Sequence, residues 1–94
     1  MKIGILTMHL SLAACGSLKE KRSRIKPLVT RLHKEFNVSV CELDFQDVWQ
    51  TAMIGCALIN TDSRVIQQTF GKIISFTESF FTAVELVDQK IEIL

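Results

Sequence analysis

Hydrophobic and polar positions alternate along the start of the chain. Gly4, Leu6, Met8, Leu10 and Leu12 occupy one parity, and Thr7, His9 and Ser11 the other, after Ile3 and Ile5. A two-residue period is that of a half-buried strand, so residues 2–13 are predicted as the first strand. The period then lengthens. Leu18, Ile25, Leu28, Val29, Leu32 and Phe36 share one face of a helix. Ser17-x-x-Glu20 has the spacing of a capping box, and Phe36-Asn37 closes the helix where asparagine tolerates a left-handed cap. Two residues disturb this helix. Pro27 loses a backbone bond and crowds the preceding turn, and Lys21 projects onto the apolar arc. The expectation is an irregular or offset first turn over residues 17–23, with the regular helix established near Pro27.

Residues 38–46 and 49–59 read as the second and third strands, joined by a short link around Asp47-Val48 that makes them antiparallel neighbours. In the third, Ala52, Ile54, Cys56 and Leu58 take the core parity, and Thr51, Met53 and Gly55 the other. Asn60-Thr61-Asp62 caps a second helix, which buries Val65, Ile66, Phe70, Ile73, Ile74 and Thr77 along one stripe. A last strand covers residues 84–93. The order βαββαβ predicts a single α+β domain of ferredoxin-like arrangement: a four-stranded antiparallel sheet with both helices on one face. Its open face is expected to carry Thr7, His9, Ser11, Thr51 and Met53.

Composition narrows the setting. The chain has 94 residues, enough for one domain that buries roughly 60–70% of its unfolded surface without metal or disulfide support. Apolar residues make up 48%, and no apolar run approaches the ~20 residues of a membrane span. The three cysteines, Cys15, Cys41 and Cys56, have no C-x-x-C spacing, which gives neither a zinc nor a redox motif. Cys41 and Cys56 are expected as buried strand residues in a reducing compartment. Leu12-Ala13-Ala14-Cys15 behind the basic Lys2 also has the form of a lipoprotein cleavage box. The alternation, and the histidine in its midst, favour the strand.

The net charge of +1 gives no overall field for polyanions, yet seven of the eleven Lys and Arg fall between Lys19 and Lys34. Lys19, Lys21, Arg22, Arg24 and Lys26 are the candidate RNA or phosphate contacts, because a helix N-terminus flanked by cations aims amide hydrogens and ammonium groups at one anion. Against this stands a solvated flank whose long side chains cover the core edge. Strand one and the strand-three segment 51–57 lack the aromatic residues that stack bases in RNA-recognition versions of this fold. His9, Glu42 and Asp44 would form a carboxylate–imidazole set for metal or acid–base work if strand register brings them together. No nucleophile, phosphate loop or metal spacing accompanies them, so no catalytic residue, metal or cofactor is assigned. Trp49, Met53 and Ile59 are candidate partner contacts, for a homodimer or another protein.

Ser17-Leu18-Lys19-Glu20-Lys21-Arg22, Phe36-Asn37-Val38-Ser39-Val40, Gln46-Asp47-Val48-Trp49-Gln50 and Asn60-Thr61-Asp62 resemble, in order and spacing, the motifs of the YlxP-like family, small bacterial proteins of unknown function. The resemblance covers essentially the whole chain. It implies a ferredoxin-like fold, a cytoplasmic setting and, because the family is often encoded beside translation genes, contact with RNA or the ribosome. The chain departs at Phe45, where relatives often carry histidine. The family brings no established catalytic residues. The expectation is a non-enzymatic RNA- or ribosome-associated accessory factor, with no membrane and no small-molecule substrate. The alternatives are a protein-binding or homodimerising module on the open sheet, and a metal-binding or acid–base enzyme using His9 and the strand-two acids.

Overall fold

β1 (Lys2–Ser11) lies inside the sheet, bonded on both edges, in a computed structural model that describes residues 1–80 and 84–94. The other elements are α1 (Leu18–Glu35), β2 (Ser39–Asp44), β3 (Thr51–Asn60), α2 (Ser63–Phe80) and β4 (Glu85–Ile93). The four strands run in the order β2-β3-β1-β4, every neighbouring pair antiparallel. This is the ferredoxin-like α+β fold.

The alternation in β1 is the reason for its central place. Leu6, Met8 and Leu10, with Leu12 just beyond, lose all exposure beneath the helices, worth roughly 1.5–3 kcal/mol for each such side chain. Ala52, Ile54 and Cys56 of β3 face the same core, as their parity predicts. Cys15 is also buried, 1% exposed. The four residues that resemble a lipoprotein box thus form the turn after β1, with Leu12 and Cys15 buried and Ala13 and Ala14 exposed.

α1 departs from expectation. It is helical from Leu18, with no offset first turn: Ser17 Oγ accepts the Glu20 amide at 3.0 Å, and Phe36 N–H bonds back to Leu32. Pro27 sits within the regular helix. Pro27 and Ser23, whose carbonyl it deprives of the usual helical amide, are both exposed, so the lost bond falls on the solvent side.

α2 presses onto β1 at Gly4. A Cβ there would meet Ile66 Cγ2 at 2.3 Å and Phe70 Cε2 at 2.9 Å, so only glycine lets this helix approach so closely. Ile66, Phe70, Ile73 and Thr77 are buried, the last with its hydroxyl donating to the Ile73 carbonyl. Val65, expected on the same stripe, is exposed instead, since it lies in the first turn beside the contact rather than over it. The helices meet through Phe36 and Phe76, edge to face at 5.8 Å, with Arg31 over the Phe76 ring.

β2 is shorter than its sequence suggests. Phe45 takes φ 64°, the left-handed region, which ends the strand. Register places Cys41 against Gly55, on the open face, so Cys41 is exposed and not buried as its strand setting implied. Leu43 stands in a bulge between Glu42 and Asp44 and lies over Gly55.

Candidate functional site

Lys21 enters the core from the first turn of α1. It is 2% exposed, and a buried ammonium requires a counter-charge and hydrogen-bond acceptors. Both come from the far end of β2. Lys21 Nζ lies 2.7 Å from Glu42 Oε2 and donates to the backbone carbonyl of Phe45. Apart from that ion pair, Glu42 Oε2 has no hydrogen-bond partner among the described residues. Glu42 reaches this position because it pairs with core-facing Ile54, which directs it to the helical side of the sheet. Lys21 therefore leaves the set of surface phosphate contacts: its charge holds α1 to the β2–β3 connection.

Arg24 is likewise engaged. Its guanidinium donates to the Ala13 carbonyl at 2.9 Å and to Glu20 at 3.1 Å. Glu20 Oε2 also accepts the Gly16 amide at 2.6 Å. That backbone bond, followed by the charge of Arg24, holds the Glu20 carboxyl below its ordinary range. The N-terminus of α1 thus already carries an anion, supplied by the chain itself.

Lys19, Arg22 and Lys26 remain. All three are exposed, and their spacing of three and four residues aligns them on one face of α1. Arg22 and Lys26 also line a groove of about 390 Å³ between α1 and the end of β2. Leu18, Ile25 and Val29 form its apolar wall, the Lys21–Glu42 pair is part of its lining, and Gln46 and Asp47 lie on the β2–β3 side. The structure keeps three of the five predicted cations together as a surface line, buries Lys21 and ties the half-exposed Arg24 to Ala13 and Glu20.

On the open face, register separates the proposed carboxylate–imidazole set. Glu42 is on the other side of the sheet, while His9 and Asp44 both neighbour Met53. Asp44 Oδ1 accepts the Phe45 amide, and the Phe45 ring stacks on His9 at 5.9 Å. Thr51 donates its hydroxyl to the Leu10 carbonyl at 3.2 Å, and the same oxygen lies 2.6 Å from His9 Nε2, a hydrogen bond that orients the imidazole. No group of three or more His, Cys, Asp or Glu among the described residues has the geometry to hold a metal ion. Nor is any helix among them long and apolar enough to cross a membrane.

The candidate partner contacts are not one patch. Met53 and Ile59 share the open face but stand six residues apart on β3, roughly 20 Å. Trp49 precedes β3 in the connection and is 43% exposed, so it does not plug the core. Sequence reasoning missed Phe45 as a junction between the two faces, and missed Glu42 as the partner of Lys21. The second had a signal: a lysine on an apolar arc calls for an acid at the same depth.

Comparison with known proteins bears first on the fold. A de novo designed protein, Foldit4, superposes over 100% of this chain and 97% of its own, with a TM-score of 0.55 at 11% identity. The crystal structure of a mutant of SnoaB, a cofactor-independent oxygenase from Streptomyces nogalater, covers 99% of this chain and 90% of its own, with a TM-score of 0.53 at 7% identity. Such identities speak for architecture alone. In sequence, the uncharacterized protein YlxP of Bacillus subtilis is 33% identical over 78 residues, 83% of this chain and 85% of that protein. Residues 3–91 match the family described as protein of unknown function DUF503, and the chain belongs to that family.

Proposed function

We propose that the protein is a non-enzymatic cytoplasmic accessory factor that grips structured RNA, free or within the ribosome, through the phosphate backbone. The line of Lys19, Arg22 and Lys26 carries this reading. These exposed cations share one helical face and make no ion pair among the described residues, whereas Lys21, Arg24 and Arg31 are each engaged by an acid of the chain. Contact is to phosphate rather than to bases, because β1 and β3 offer no aromatic platform.

The test is fluorescence anisotropy of a labelled RNA hairpin across a salt series. Wild-type affinity should fall with salt, and K19A/R22A/K26A should flatten the slope of log K against log salt by roughly 3, about one for each lost phosphate contact. Lys72→Ala, an exposed cation on α2, should leave affinity nearly unchanged. A triple variant that binds as tightly as wild type, with its fold intact by circular dichroism, overturns the reading.

The exposure of Ile59, 65%, favours a second reading in which the open sheet contacts protein, including another copy of the chain. Under it, Ile59→Lys abolishes concentration-dependent association in the ultracentrifuge; unchanged association rejects self-contact through that face.

A further inference from the structure

The outer edge of β4 is a different surface from the open face and from the α1 line, and its hydrogen-bonding direction can be derived. Ile3 and Leu94 exchange both backbone bonds, Ile3 N to Leu94 O at 3.1 Å and Leu94 N to Ile3 O at 2.8 Å. Antiparallel ladders alternate such pairs, so Glu92, Lys90 and Asp88 also direct their amides and carbonyls at β1, opposite Ile5, Thr7 and His9. Gln89, Ile91 and Ile93 therefore turn theirs outward, and β4 is the last strand of the sheet.

We propose that this edge pairs with the same edge of a second copy of the chain, antiparallel about a two-fold axis at Ile91. In that register Gln89 meets Ile93 of the second copy, Ile91 meets itself, and Ile93 meets Gln89. All three outward residues are then used, giving roughly six intermolecular backbone bonds. The side chains agree. Asp88, Lys90 and Glu92 stand on the open face in the order acid, base, acid, and an axis at Ile91 sets each Lys90 opposite Glu92 of the other copy. Shifting the axis by one residue to Lys90 sets lysine on lysine and Asp88 on Glu92, which like-charge repulsion disfavours. On the helical side Ile91, 40% exposed, meets its own image. A lysine alone on an edge strand blunts pairing; Lys90, two residues from Glu92, instead finds its counter-charge on the second copy. The irregularity between His9 and Leu10, which leaves Val87 unpaired, disturbs the strand before the paired segment begins. β2, the other edge, is shorter at six residues and bulged.

Sedimentation equilibrium from micromolar to millimolar concentration tests this. Wild type should rise towards twice its mass of 10.6 kDa. Lys90→Glu places like charges opposite each other at two symmetry-related positions and should raise the dissociation constant roughly tenfold. K90E/E92K re-creates the complementarity in reverse and should restore wild-type association. Ile91→Pro removes an amide that β1 does not use and should abolish pairing; thermal unfolding verifies that the variant folds. Ile59→Lys should change nothing, which separates this edge from the open face. A wild type monomeric throughout, a double variant that stays weak, or loss of association in Ile59→Lys alone would each overturn the proposal.

Discussion

The two helices hold one sheet by opposite means. α2 closes on β1 through an absence: Gly4 has no side chain, and Ile66 and Phe70 occupy the space a Cβ would need. α1 reaches the end of β2 through a buried ion pair, Lys21 with Glu42, and leaves a groove of about 390 Å³ beside it. The first contact is dry, short-range and intolerant of volume. The second is polar, partly open and ties a helix to a turn. The cations that remain on the surface lie along the second contact, where packing is incomplete and the geometry depends on charge.

Removing Glu42 gives the largest effect. Glu42→Ala strands the Lys21 ammonium in the core and should cost about 3 kcal/mol in denaturant unfolding, the lower end for a broken buried pair, because Glu42 remains 23% exposed and water can reach it. Lys21→Met combined with Glu42→Leu removes both charges and should recover most of that loss. If the double variant is as unstable as the single one, Lys21 serves mainly through its bond to the Phe45 carbonyl.

Next is volume on the other side. Gly4→Ala should cost about 2 kcal/mol by overpacking against Ile66 and Phe70. Gly55→Ala is the matched control. Its Cβ would meet Leu43 Cδ1 at 2.5 Å and Cγ at 2.7 Å, a similar overlap, but with an exposed side chain that can swing aside as a whole. Its cost should stay within about 0.5 kcal/mol. Equal losses at the two glycines would show that backbone conformation, not helix approach, governs Gly4.

The smallest effect is at the α1 N-terminus. The Glu20 carboxyl is lowered from an ordinary value near 4.5, by the Gly16 amide first and Arg24 after it. A depressed folded-state value stabilises above the unfolded value and loses that contribution as pH falls through the folded one. The stability gap between wild type and Glu20→Gln should thus be constant above pH 4.5 and shrink below it, read from thermal melts in an acid series. A gap independent of pH would show that Glu20 acts there only as a neutral cap.

Alternation made β1 legible, and the parity of Ala52, Ile54 and Cys56 set the register of β3, so the fold followed from local pattern. β2 resisted because Val40 and Cys41 are adjacent apolar residues and either parity suits them. What decides between the two is Glu42, drawn to the helical side by Lys21 from 21 positions earlier in the chain. Pro27 misled for a related reason: its local penalty depends on whether solvent reaches the Ser23 carbonyl, which is a property of the packed helix. The basic segment was visible, but its division into engaged Lys21 and Arg24 and exposed Lys19, Arg22 and Lys26 depended on contacts to Glu42, Phe45 and Ala13. The outward direction of the β4 edge needs the register of its last pair.

The three sulfhydryls now differ in a useful way. Cys15 and Cys56 are enclosed, and burial, with the nearby Cys41 as a lesser cause, pushes the Cys56 thiol up to about 12. Cys41 stands alone on the surface, beside Gly55 on the side of the sheet away from both helices. The unaltered chain thus carries its own attachment point for a fluorophore or spin label, and a reporter placed there senses what approaches the bare side without disturbing the grip of α1 on β2.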